Sequence, residues 1–368
     1  MSGSADVERR VRDSFLRQAQ ICSGLGSAFM ENLLSGLATT LDASTVTGER
    51  ILSWQGSPEP EKDALALRLT GAIHAIVRRG EFPHLSAFYE HSEITESTEG
   101  TEITEYTEST ESPEFMEMIS GLIRERDEEI NTWLDFAPQT NEVARSAIIF
   151  VGLQNLAERF HCPMHLHELG CSGGLNLQAA GYGYQFGPAA YGNARSALQL
   201  KPNWEGALPP SLSINVEKRM GCDLNPLYVD RAEHREKLLA YLWPDQPARL
   251  KRVETAIRIA QESPPELEQN DAATWVEQKF SKSAETETLS VLFHTIAWNY
   301  FPERTKNRIT DIMADAGARA TASSPLAWLS FEFDAGAQPL LKLNTWPGGE
   351  ECILASADPH VHAIKYIK

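Results

Sequence analysis

The sequence predicts an α/β fold: a mostly parallel β-sheet, closed by antiparallel C-terminal strands and preceded by a helical domain. Three observations carry this. From residue 164 onward, short apolar runs alternate with stretches of helical periodicity. The tail then changes to strand-like runs separated by the turns Pro347-Gly348-Gly349 and Asp358-Pro359. Before residue 90, apolar residues recur at helical spacing, as in Phe29, Leu33, Leu34, Leu37 and Leu41.

The elements follow in order. Residues 1–90 read as a helical N-terminal domain, with a loop at Gly56, Pro58 and Pro60. Residues 91–114 form an acidic low-complexity insertion with eight glutamates at a period of three and no Lys or Arg. That period suits neither helix nor strand, and there is little apolar surface to bury, so disorder is expected. Residues 115–160 return to helix as a connection to the cleft, with Thr140 or Asn141 as cap and Glu142 in the first turn. Residues 161–368 hold the alternating domain. Its expected strands are 164–169, 214–222, 266–270, 289–293 and 326–333, followed by 340–346, 352–356 and 361–367. Its expected helices are 228–243, 248–261, 274–280 and 303–316. An aromatic insertion at about 181–212, with Tyr182, Tyr184, Tyr191 and Trp204, reads as a structured lobe over the cleft or as packing of an irregular loop.

Composition bounds the function. The chain has 368 residues, 42% of them hydrophobic, and a net charge of −18. That charge disfavours nucleic acid and anionic membranes as partners. No apolar run approaches the roughly 18 residues of a membrane span. The start of the chain lacks a secretory pattern. Five cysteines without a C-x-x-C pair argue against a disulfide framework. A soluble, cytoplasmic protein acting on a small molecule is expected, with oligomeric state left open.

The segment HLHELGCSGGLNLQAA carries most of the functional signal. A short strand ends at Glu168, a turn follows through Gly170, Ser172, Gly173 and Gly174, and Asn176 opens a helix-like stretch. A sharp strand-to-helix turn needs little side-chain bulk if a ligand is to approach the backbone. An acid before it suits an aminoacyl cofactor and would repel a pyrophosphate. This turn resembles the first motif of class I S-adenosylmethionine-dependent methyltransferases, E/D-x-G-x-G-x-G, with Ser172 in place of the middle glycine. The resemblance implies a Rossmann-like sheet and S-adenosylmethionine as cofactor. Asp223 in MGCDLNPL then stands at the end of the second strand, for the ribose hydroxyls or as a helix cap. Asp271 in EQNDAATW stands after the third, near adenine or again as a cap. His294 in VLFHTIAWNY ends the fourth and is the candidate catalytic base.

Taken together with FLRQAQICSGLGS, PQTNEVARSA, RMGCDLNP, LWPDQPARL and SADPH, these motifs resemble an uncharacterised bacterial family, the methyltransferase-like domain of unknown function 2332. That resemblance implies a fold and no substrate. Gln139, Asn141, Glu142 and Arg145 of PQTNEVARS are candidate cleft residues, as is Tyr182. Arg145 could hold a carboxylate, or pair with Glu142 on a helix surface. His161, Cys162, His165 and His167 cluster in sequence but lack a C-x-x-C or H-E-x-x-H frame, so no metal is expected. The alternative to a methyltransferase is a non-catalytic binding or sensor protein on the same fold.

Overall fold

The computed structural model describes residues 2–91, 110–282, 285–334 and 338–368. Of the acidic insertion, residues 92–109 lie outside this set. The chain divides into two compact units, Met1–Thr140 with Glu236–Lys251, and Asn141–Arg235 with Arg252–Lys368.

The first unit is helical. It contains α1 (Ser2–Gly24), α2 (Ala28–Thr40), α3 (Val46–Leu52), α4 (Leu65–Arg78), α5 (Pro83–His91), α6 (Pro113–Glu125) and α7 (Asp127–Trp133). Caps mark the starts. Ser27 accepts from the Met30 amide, and Ser112 accepts from Phe115 with Pro113 in the first turn. The expected stripes become the core: Phe15, Leu33, Leu34, Ile73, Ile76 and Phe115 are fully buried. Tyr241 and Trp243, distant in sequence, complete that core.

The second unit is built on a Rossmann-like sheet. Its strands are β1 (Met164–Leu169), β2 (Gly183–Phe186), β3 (Ala189–Gly192), β4 (Gln199–Leu200), β5 (Asn203–Glu205) and β6 (Val216–Asp223). They continue with β7 (Glu266–Gln269), β8 (Leu289–Thr295), β9 (Leu326–Phe333), β10 (Pro339–Trp346), β11 (Glu350–Ala357) and β12 (Ala363–Tyr366). The order in the large sheet is β5-β12-β11-β10-β9-β8-β1-β6-β7. The block β7-β6-β1-β8-β9 is parallel, and β10, β11 and β12 form an antiparallel meander. Its helices are α8 (Ser146–Phe160), α11 (Ala272–Phe280) and α12 (Glu303–Arg319), while α9 (Ala232–Ala240) and α10 (Pro247–Glu262) lead the chain into and out of the helical unit. Every residue of β1 is buried, as expected of a central parallel strand covered on both faces.

Three local expectations change. The stretch after the glycine-rich turn is a short 3-10 helix, Leu175–Gly181, rather than an α-helix. The chain then forms a separate three-stranded sheet, β3-β2-β4. The cap expected at Thr140 or Asn141 is instead Glu142, whose carboxylate accepts from the Ala144 amide ahead of a 3-10 turn, and α8 begins only at Ser146. Asn141 turns away to accept from the Leu175 amide at 2.9 Å.

The register decides which residues share a face. In a parallel pair, residues in register point the same way, and neighbours along a strand alternate. His165, His167 and Leu169 therefore share a face with Ser290, Leu292 and His294 of β8. Helices α11 and α12 cover that face through Trp275, Phe280, Ile309 and Met313. Glu168 lies on the opposite face, with Gly221 and Asp223 of β6.

Candidate functional site

The chain runs from β1 through β6 and β7 on one side, then crosses back to β8 on the other. The switch point therefore lies between β1 and β8, and in open α/β sheets ligands bind at the C-terminal strand ends beside such a point. Glu168 is the penultimate residue of β1 and only 2% exposed. Its Oε2 is buried and makes no hydrogen bond. Burial pushes its carboxyl well above the usual carboxylate range. A hydrogen bond from Asn176 and the nearby Arg145 guanidinium oppose that rise, while the charge of Asp223 adds to it. Asn176 is itself held, accepting from the Ser146 hydroxyl at 2.8 Å.

The turn that follows is tight for reasons of its own. Gly170, Ser172 and Gly174 all have positive φ, at +65°, +49° and +66°. A Cβ on Gly170 would lie 2.9 Å from Ala297 Cβ, and one on Gly174 would lie 2.9 Å from both Leu267 and Pro265. Packing and backbone conformation thus account for both glycines. Ser172 occupies a left-handed conformation that glycine would adopt without strain. Its hydroxyl is buried and makes no hydrogen bond. Gly173 is buried beside it in the same turn.

Asp223 ends β6 and straps this turn down. Its carboxylate accepts from the Ser172 amide and from the Asn225 amide, each at 2.9 Å. Asp271 serves as the cap of α11: it is exposed and accepts from the Thr274 amide at 3.0 Å. Arg145 is half-buried and donates to the backbone carbonyls of Pro359 at 3.0 Å and Thr295 at 3.2 Å. The surface setting that an Arg145–Glu142 pair was expected to have is not found, because Glu142 is only 2% exposed. Glu142 is buried, and its carboxylate lies 3.5 Å from Arg252 and 3.3 Å from His360. Tyr182 is fully buried, its hydroxyl donating to the Leu175 carbonyl at 2.8 Å. Tyr184 is also buried and stacks on Phe150 at 4.1 Å, so these two tyrosines pack the lobe rather than line an opening. Gln139 lies half-buried in the helical unit.

His294 is placed differently from the expectation. It is the penultimate residue of β8, on the opposite face from Glu168. It is 2% exposed, stacked on Trp298 at 4.8 Å. Trp328 Nε1 donates to His294 Nε2 at 3.0 Å. An indole N–H can only donate, so Nε2 is the acceptor and the proton sits on Nδ1, which donates to Glu332 Oε1 at 2.7 Å. Both nitrogens are occupied, and an acceptor-facing base is not what this arrangement provides. Glu332 Oε1 also accepts from the Ala297 and Trp298 amides, at 3.0 and 3.2 Å. Between them and β8 stands Ile296, a β-branched residue at φ +48°. The His294–Glu332 pair thus braces a strained loop, whose Ala297 abuts Gly170. Glu332 escaped the sequence reading, although an acid near the end of the apolar run LAWLSFEF was a usable signal.

Leu224 and Tyr300 follow β6 and β8 and are 66% and 78% exposed, large apolar groups left open at this edge. Among the described residues, no group of three or more His, Cys, Asp or Glu is arranged to hold a metal, and no helix is long and apolar enough to cross a membrane. His165 and His167 are buried on the sheet face, and His161 forms the left-handed C-cap of α8. No curated protein and no solved structure matches the chain. Residues 12–366 match the family described as "Uncharacterized protein conserved in bacteria (DUF2332)", and the chain belongs to it.

Proposed function

We propose that the chain binds S-adenosylmethionine at the C-terminal ends of β1 and β6 and transfers its methyl group to a small molecule. The observation that carries this reading is Glu168: a buried carboxyl with one oxygen lacking a partner, on the same face as Asp223, at a topological switch point. A buried acceptor left unmade costs about 1–3 kcal/mol, and an ammonium group placed there recovers it. Glu168 would hold the aminoacyl ammonium and Asp223 the ribose diol, with Arg145 as the nearby cation and the exposed Leu224 beside the base. The cofactor supplies a methylsulfonium. The protein's part is then to position it and to exclude water, with a base required only if the acceptor must lose a proton.

The engagement of both His294 nitrogens favours one alternative, a binding or sensor protein on the same fold. Calorimetry with S-adenosylhomocysteine separates the readings from failure. An ammonium beside Glu168 favours the ionised carboxylate, so binding should release a proton, seen as a dependence of the enthalpy on buffer ionisation heat. Transfer of label from methyl-tritiated cofactor to small molecules of a bacterial extract then distinguishes an enzyme from a sensor. No binding at millimolar ligand would sink both.

A further inference from the structure

The opposite end of the same strands carries a second constellation. A cavity of about 370 Å³ opens at the N-terminal ends of β1, β6, β8 and β9, on the face covered by α11 and α12. Its floor is His165 and His167 with Ser290. Both histidines are 5% exposed. His165 Nε2 and His167 Nδ1 are buried and make no hydrogen bond, the Glu217 carboxylate lying 3.5 Å from the former. His167 sits edge-on to Trp275 and tilted against Phe280, and burial lowers its pKa to about 4, so the ring is neutral near pH 7. A neutral imidazole offers one donor and one acceptor, and neither ring has its full complement.

The rim has the opposite character to the rest of the protein. Lys218, Lys279, Lys282 and Arg319 line the cavity, with Glu285 as the one carboxylate among its lining residues. The chain as a whole carries −18, so four cations around one cavity stand out against the background field. The pairs they make are of the weak, solvent-screened kind. Lys218 and Glu285 are 43% and 64% exposed, and Lys279 meets the partly exposed Glu268. Ala316 and Ala320 on the α12 side keep the space open. Thr321 and Ser324 add hydroxyls at the mouth. The volume lies at the lower end of small-molecule sites and is too small for a polymer chain.

We infer that this cavity is a binding site for a small oxyanion, a phosphorylated or carboxylated metabolite, whose charged head meets the lysines and Arg319 and whose polar body reaches the histidine floor. The site is independent of the cofactor reading. It uses the other face of β1: His165 lies about 10 Å along the strand from Glu168 at 3.3 Å per residue, and His167, the neighbour of Glu168, points to the opposite side of the sheet.

The test is equilibrium binding of two probes to the full chain at constant ionic strength: inorganic pyrophosphate for phosphates and citrate for carboxylates. Saturable one-to-one binding of at least one, with a dissociation constant below about 1 mM, is expected, and the tighter probe identifies the source of the oxyanion. Lys218→Glu with Lys282→Glu, both on the exposed rim, should weaken it at least tenfold while S-adenosylhomocysteine binding stays unchanged. His167→Phe fills the floor against Phe280 and should also weaken it without lowering the melting temperature. The imidazole nitrogen resonances of His165 and His167 should shift on ligand addition. Failure of both probes to saturate, or affinity unmoved by the rim charge reversal, overturns the site.

Discussion

Glu168 and His294 are buried ionisable side chains near the C-terminal ends of adjacent strands, and the fold treats them in opposite ways. His294 is saturated: an indole donates to one nitrogen, a carboxylate accepts from the other, and a second tryptophan stacks on the ring. Glu168 is left with an oxygen that nothing meets. A saturated group is costly to disturb and has nothing to offer a ligand. An unsatisfied one weakens the fold slightly and is free to bind. Position at a strand end is therefore a poor guide to role, and the hydrogen-bond inventory is a better one. On that ground we propose His294 as a positioning residue, holding Glu332 against the strained Ile296 loop, and Glu168 as the ligand contact.

The comparison breaks most visibly at His294. Replacing it with alanine leaves Trp328 Nε1 without its acceptor, takes one donor from Glu332, which keeps the Ala297 and Trp298 amides, and opens a cavity beside Trp298. Urea unfolding of His294→Ala should show a loss of about 3 kcal/mol, while the folded fraction binds S-adenosylhomocysteine within twofold of wild type. A variant with wild-type stability but lost turnover would restore His294 as a base.

Asp223→Ala tests the other face. It should weaken S-adenosylhomocysteine binding by 10- to 100-fold, about 1–3 kcal/mol, measured by calorimetry. An unchanged affinity there, or an equal loss in His294→Ala, would remove the assignment of the diol to Asp223.

Glu168 is sharpened by pH. Burial raises its folded-state pKa above the unfolded value of about 4.3. The folded state then keeps a proton that the unfolded chain has lost. The stability tied to this group is complete below about pH 4 and falls as pH rises through the folded-state pKa. Glu168→Gln has no such fall, so it should gain on wild type as the pH is raised from 5 to 8, and bind the cofactor more weakly. A constant difference between the two proteins across that range would mean that Glu168 is ionised in the fold.

The smallest effect belongs to Ser172. Glycine relieves its positive φ but adds freedom to the unfolded chain, so Ser172→Gly should stabilise by at most about 1 kcal/mol. Cofactor affinity should not change, because Asp223 holds this residue through its amide. A marked loss of affinity would assign the buried Ser172 hydroxyl to the ligand.

Much of the sheet was legible along the chain. β1 and β9 run over the residues that their apolar patterns mark, and the switch from alternating elements to a meander is written in the Pro-Gly and Asp-Pro turns. These are local signals, since side-chain period and turn chemistry act over a few residues. The helical stripes of the first unit were legible for the same reason, although the contribution of Tyr241 and Trp243 to its core was not. The candidate site divides along the same line. That an acid precedes a glycine-rich turn is a property of sequence. That Glu168 and Asp223 share a face while His294 looks the other way depends on the register of three strands, and no residue encodes register by itself. Trp328 and Glu332 lie more than thirty positions after His294, and only their approach across β8 and β9 shows that the histidine is already occupied. Sequence by itself determined most of the helices and the strands outside the aromatic insertion, their order and the acid at the turn. Tertiary structure decided which polar groups found partners, because satisfaction depends on distances between segments that chain order does not specify.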